Sequence, residues 1–299
     1  MSEVKYYALA AAMLMVACSS DGPDTDQMPE LPKADRMAVN ILSRAEEGTN
    51  NTEGLQAGLF MVNYSNGRPD ELLAANNYVN NQLLIWKDNA WQTNTPIYWY
   101  DDSTPADFYA YAPYTTTVGN ARQMAFSVQR DQRTAQTFAN SDLLWGKVEG
   151  QSPTASFFSL TLAHQLSRLT VVVTADAGFA EGELKAQDVA VSIGGTKTAG
   201  TLDIATGTVT ATGNVADVQC KSNGDLSYTA ILLPQQVPFS NLIQVNWNGN
   251  KYTLQNSFTL EPKRQYSLTV KLKKTKSGFD IGIDGWDIIP EDFGGTVGG

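Results

Sequence analysis

Histidine occurs once in this chain of 299 residues and cysteine twice, and almost nothing repeats at the spacing of an amphipathic helix. Each scarcity closes off a class of function. His164, Cys18 and Cys220 are the whole supply of those residues, and no C-x-x-C, H-E-x-x-H or G-x-S-x-G pattern is present. No catalytic site, metal or cofactor is expected, and the chain reads as a non-enzyme. Basic residues are few, 21 Lys and Arg against 31 Asp and Glu for a net charge of −10, which argues against nucleic acid or an anionic lipid surface as partner. Long apolar runs are missing too. The stretch Tyr6 to Ala17 has 12 residues, short of the roughly 20 that a spanning helix needs.

That short stretch ends in Val16-Ala17-Cys18 and is followed by Ser19-Ser20-Asp21-Gly22-Pro23, the pattern of a bacterial lipoprotein signal (1–17) with acylation expected at Cys18. Two or more acyl chains are enough for stable anchoring. With Cys18 acylated, Cys220 has no intrachain partner and reads as a small buried apolar residue. Residues 18–36 hold three prolines and five acidic side chains but few large apolar ones, so they cannot bury enough surface to offset their ordering entropy and form a flexible tether.

Beyond the tether the periodicity is that of strands. Met37, Val39 and Ile41 alternate with smaller or polar neighbours, as do Met124, Phe126 and Val128, and Tyr266, Leu268, Val270 and Leu272; these are half-buried strands. The fuller apolar runs at 58–62, 83–86, 108–111 and 231–233 suit strands covered on both faces. Trp247-Asn248-Gly249-Asn250 predicts a type I′ hairpin. Between Phe157 and Val173 the apolar parity changes, which predicts a bulge or bend near Ser167-Arg168. Gly194-Gly195-Thr196-Lys197-Thr198 superficially resembles a phosphate loop but lacks a following helix, and predicts a hairpin turn. The count of short strands predicts an all-β chain of two tandem β-sandwich domains, 37–153 and 154–278, with a boundary at the Gly150–Pro153 break and a C-terminal segment 279–299.

Candidate chemistry is sparse. His164 falls on an apolar strand face, where a core histidine bonded to a backbone carbonyl is expected. Asp280, Asp284 and Asp287 lack the alternate-residue spacing of a calcium loop. Trp86, Trp91, Tyr98, Trp99 and Tyr100 suit either a sugar-stacking platform or the filling of the first sandwich; both stay open.

Ile97-Tyr98-Trp99, Asp107-Phe108-Tyr109-Ala110-Tyr111-Ala112-Pro113, Asp142-Leu143-Leu144-Trp145-Gly146 and the run from Phe158 through His164 to Val171 occur in an order that resembles the fimbrillin-like family. The resemblance implies a type V pilus (fimbria) subunit made as an outer-membrane lipoprotein precursor, with two transthyretin-like sandwiches and a role in cell adhesion. Its partners would be other pilus subunits, the outer membrane through the N-terminal lipid before cleavage, and a host or bacterial surface receptor. In that family an arginine-specific protease removes the N-terminal strand, and a C-terminal strand of a neighbouring subunit fills the groove. Arg44-Ala45 is the junction that would release the Met37, Val39, Ile41 strand; Arg36 is the second choice and would leave it in place. The five acidic and three basic residues of 18–44 would leave with it, taking the charge from −10 to −8. Phe279, Ile281, Ile283 and Trp286 mark a donor strand, a pattern that the last strand of a sandwich shares. Asp102-Ser103-Thr104 is similar to the O-glycosylation motif of exported proteins in such bacteria, with Ser103 as acceptor. The alternative function is a monomeric surface lipoprotein that binds glycan through Trp86, Trp91 and Trp99.

The lipid expectation has a direct test. Cells fed radiolabelled palmitate incorporate the label into the wild-type chain and not into a Cys18→Ala variant, which becomes soluble; label retained in the variant would refute acylation at Cys18.

Overall fold

The computed structural model describes residues 38, 41–42, 53–88, 90–275, 278–280 and 291–292. Its strands in the first half are β1 (Ile41–Leu42), β2 (Gln56–Ser65), β3 (Arg68–Pro69), β4 (Val79–Lys87), β5 (Ala90–Gln92), β6 (Ala106–Ala112), β7 (Met124–Ser127), β8 (Leu144–Gln151), β9 (Phe158–Ser159) and β10 (Ala163–His164). The second half has β11 (Ser167–Ala175), β12 (Val189–Asp203), β13 (Thr208–Gln219), β14 (Lys221–Gly224), β15 (Ser227–Leu232), β16 (Gln235–Trp247), β17 (Asn250–Leu260), β18 (Arg264–Thr275), β19 (Gly278–Asp280) and β20 (Glu291–Asp292). A short α-helix, α1 (Ala135–Ala139), lies between β7 and β8. The chain is all-β, as its periodicity predicts.

The first sheet runs β10-β8-β6-β2-β4-β5, with β3 paired to β2. Alternation along its central strands sends side chains into two different cores. Leu59, Met61, Phe108 and Ala110 enter one, together with Trp99, Phe158, Leu160 and Leu162. Phe60, Val62, Tyr109 and Tyr111 enter another, where they meet Met124, Leu202, Ile204, Ile231 and Leu233. The runs at 58–62 and 108–111 are thus covered on both faces. The 83–86 run is not: Leu84 and Trp86 are buried while Leu83 and Ile85 are half-buried, because β4 lies one strand from the edge.

The second half stacks two sheets, β14-β15-β11-β18 with β19 and β20 on β18, and β13-β12-β16-β17. Between them Leu169, Val171, Val191, Ile193, Val245, Leu268 and Val270 form a separate core. The Asn248-Gly249 turn joins β16 to β17 with both residues at positive φ, 49° and 80°, the geometry of a type I′ hairpin. Sheet membership changes between His164, which pairs with Leu144 in the first sheet, and Ser167, which pairs with Leu232. The parity change therefore marks a passage between sheets, and it comes after the Gly150–Pro153 break. Gly194–Thr198 is not a hairpin turn. It lies inside the 15-residue β12, where the register against β13 slips between Ile193 and Thr196, a bulge. Gly195 sits there at φ +72°, and a Cβ on it would stand 2.2 Å from Ser240 Oγ.

The halves are tied by more than apolar packing. β7 pairs antiparallel with β12, Met124 opposite Leu202, so a strand from the first half extends a sheet of the second. The Trp145 indole N–H donates to Ile204 O at 2.7 Å. β14 pairs with β15 as far as Thr229; two residues on, the Gln132 carboxamide takes over the ladder, receiving Ile231 N–H at 2.9 Å and donating to Ile231 O at 2.8 Å. Gln132 is 0% exposed. Replacing it with leucine leaves both backbone groups of Ile231 buried without partners, a loss of roughly 2–4 kcal/mol. Denaturant unfolding of Gln132→Leu measures it as a lowered midpoint; an unchanged midpoint would show that water replaces the carboxamide.

Candidate functional site

The N-terminal strand has a defined seat. Ala38 bridges antiparallel to Tyr98, and β1 pairs in parallel with β9, Ile41 with Phe158 and Leu42 with Ser159. Beneath this pairing lies an aromatic floor built by period-2 placement of Phe158, Leu160 and Leu162 against the first sheet. Trp99 is fully buried, edge-on to Phe108 with ring centroids 5.5 Å apart, and Phe108 lies 4.8 Å from Phe158. The Trp99 indole N–H is satisfied by Thr154 O at 3.1 Å. Phe157, on the opposite parity, is 58% exposed. Met37, Val39, Cys18, Arg36, Arg44 and Ala45 lie outside the described residues.

On the other side of the same sheet, Asp107, the opening residue of the Asp107–Pro113 phrase, is buried and accepts from Tyr64 Oη (3.0 Å), Tyr109 Oη (3.1 Å) and Gly150 N–H (2.7 Å). Burial, together with this carboxylate, pushes both tyrosine hydroxyls above their ordinary pKa. Asp107 is a structural anchor for β8, which no spacing in the sequence reveals because Gly150 is 43 residues away.

At the other terminus, Phe279 pairs with Lys274 and Asp280 with Lys273. Glu291 and Asp292 pair with Gln265 and Arg264 at the opposite end of β18. Both stretches run antiparallel to β18 on its own sheet, so the segment bearing the donor pattern occupies an intrachain position at these two points. Ile281, Ile283 and Trp286 lie outside the described residues.

The remaining sequence candidates are dispersed. Trp86 and Trp91 face each other across the β4–β5 hairpin at 5.4 Å and, like Trp99, are less than one-tenth exposed. Of the two readings left open for these three tryptophans, the structure favours the filling of the first sandwich over an exposed platform. His164 is buried as expected, and its Nδ1 meets Asp142 Oδ1 at 2.7 Å, a carboxylate partner that the strand pattern did not predict. Ser103 is exposed in a turn held by Asp101, whose Oδ1 accepts from Ser103 N–H at 2.8 Å and whose Oδ2 accepts from Thr104 Oγ1 at 2.7 Å. Burial works to raise the Asp101 carboxyl, but these hydrogen bonds outweigh it and hold the pKa below the usual value. Cys220 is buried, and burial pushes its thiol well above the ordinary range, which leaves it inert at neutral pH.

Comparison with known proteins bears on this arrangement. A Bacteroides uniformis protein named as a fimbrium subunit, Fim1C, is 27% identical over 97% of this chain and 96% of its own length. A crystal structure from B. uniformis, described as a cell adhesion protein, superposes with a TM-score of 0.62 at 22% identity, covering 88% of this chain and 99% of that one. Another, from Bacteroides ovatus and described in the same terms, gives 0.65 at 16% identity, covering 86% and 98%. These likenesses show a shared fold. The family model for fimbrillin-like proteins matches residues 43–286, spanning both sheet systems and the chain between them, and this protein belongs to the fimbrillin-like family.

Proposed function

We propose that the chain is a non-catalytic pilus subunit precursor. It is exported by a lipoprotein signal, acylated at Cys18, held at the outer membrane, cleaved after Arg44 and assembled by strand exchange into a cell-surface fibre that serves adhesion. The observation that carries this reading is the position of β1. Ile41 and Leu42 lie just ahead of Arg44 and pair with Phe158 and Ser159 above the aromatic floor. Family membership and the fimbrial name of the B. uniformis relative support it.

The physics of the exchange follows from the seat. Removing a strand there leaves the backbone groups of 158–159 unpaired over an apolar surface, an edge that recruits a replacement. Three or four apolar side chains returning to it at 1.5–3 kcal/mol each contribute roughly 5–12 kcal/mol, an upper bound, before any ladder hydrogen bonds. In this reading the donor is the segment that begins at Phe279. It has to leave the edge of β18 before it reaches a neighbour, so donation exchanges one set of strand pairings for another. We assign the two sandwich units to the residues on either side of Gln165-Leu166, where sheet membership changes. Glycan binding through Trp86, Trp91 and Trp99 is not carried forward, because these rings are buried.

Limited digestion of a soluble Cys18→Ala form with an arginine-specific protease tests the reading. The expected result is a new N-terminus at Ala45 and a detergent-resistant ladder on an unboiled gel, with Arg44→Gln remaining monomeric. Cleavage after Arg44 that yields only monomers would sink self-assembly. Cleavage at Arg36 alone, with a ladder, would show that the strand need not leave.

A further inference from the structure

Beside the bulge in β12, on the second half of the protein, lies a groove of about 470 Å³, a size in the small-molecule range of roughly 300–1,000 Å³. Its polar lining comes from Ser192, Asp217, Gln219, Gln244, Asn246 and Lys251. Val189, Val191, Cys220 and Tyr228 supply an apolar lining where β13 leaves its sheet. Gly194 makes the convergence possible. A Cβ at that position would stand 2.6 Å from Gln244 Nε2 and 3.1 Å from Asp217 Oδ1, so both polar heads close over bare backbone.

Gln244 carries the argument. It belongs to β16, whose neighbours Ile243 and Val245 point into the sandwich core, so strand alternation turns Gln244 to the other face. There it is only 5% exposed. Its Nε2 has one long hydrogen bond, 3.5 Å to Asn241 O, and its carboxamide oxygen has no partner among the described residues. A nearly buried amide left with spare capacity in a groove is what a hydrogen-bonding ligand satisfies. The Asp217 carboxylate beside it is exposed and has no ion pair or hydrogen bond among the described residues, so it is open to a ligand at the mouth of the groove.

The chemistry of the ligand follows from what the groove offers and withholds. A peptide adding as a strand finds the β12 carbonyls already taken: Val189 O accepts from Tyr228 Oη and Val191 O from Cys220 N–H. An anion finds no free excess of positive charge, because the Arg133 guanidinium at the rim is held by both Asp131 oxygens, at 2.9 and 2.6 Å, and the lining carries one carboxylate, Asp217, for its one lysine, Lys251. The amides, carboxylate and hydroxyl groups beside an apolar wall fit a neutral molecule that carries hydroxyl groups on one side and C–H surface on another. We propose that this groove binds a neutral saccharide, with Asp217 and Gln244 receiving and donating hydrogen bonds to its hydroxyls. The proposal rests on the groove alone and holds whether or not the chain polymerises.

Saturation-transfer NMR on the full chain carrying Cys18→Ala tests it, with glucose, galactose, N-acetylglucosamine, N-acetylgalactosamine, fucose and N-acetylneuraminic acid as probes. At least one neutral sugar is expected to receive saturation, with affinity falling about ten-fold for each hydrogen-bonding group lost in Asp217→Ala and Gln244→Leu. Asp217 is exposed, so Asp217→Ala is expected to keep the parent melting midpoint and to remain informative if Gln244→Leu fails to fold. Saturation of none of the five neutral sugars, saturation of N-acetylneuraminic acid alone, or full binding retained by Asp217→Ala would overturn the proposal.

Discussion

Leu59, Met61, Phe108 and Ala110 leave β2 and β6 on one side, and Phe60, Val62, Tyr109 and Tyr111 leave the same strands on the other, so the first sheet has to be covered twice. An antiparallel sheet commonly keeps one face in water; this one cannot without exposing large rings. One cover is the layer of Trp99, Phe158, Leu160 and Leu162, with β1 paired at its margin. The other is assembled partly from the second half, through Leu202, Ile204, Ile231 and Leu233. The hydrogen bonds of Trp145 and Gln132 sit at this second cover, where buried polar groups need fixed partners. The joining of the halves and the seating of the N-terminal strand are thus two consequences of one requirement.

Much of this was legible. Alternation at 124–128 and 266–272 predicts strands that exist, the Asn248-Gly249 pair predicts its hairpin, and the parity change after Phe157 predicts an irregularity near Ser167-Arg168, where the structure has a passage between sheets. What stayed hidden was partnership. Period-2 alternation shows that Met124 and Phe126 face a core but not that β7 would join β12, since strand pairing depends on residues far apart in sequence. Gln132 looks like an ordinary loop residue; its partner lies 99 positions away. Trp99 lies outside any named strand, so no alternation reports which way its ring points, and an aromatic platform and an aromatic core look alike.

Gly194-Gly195 shows how the same residues support different local structures. Consecutive glycines suit a tight turn, and they also suit a bulge where side chains from neighbouring strands press onto bare backbone. Here Ser240 crowds Gly195, while Gln244 and Asp217 crowd Gly194. The chain continues through β12 because β13 pairs with it before the glycines, at Ser192 and Ile193, and again from Thr196 onward.

The parallel pairing of β11 with β18, eight residues long from Arg168 opposite Gln265 to Ala175 opposite Leu272, has a mechanical consequence. β11 begins where the chain enters from the first half, and β18 ends where the C-terminal segment departs. Tension applied at those two points pulls the neighbouring strands in opposite directions along their length. The ladder is then loaded in shear, with its hydrogen bonds resisting together, and it does not peel one bond at a time. A subunit strung between neighbours by its two ends would meet an applied force with the strongest arrangement that a pair of strands can present.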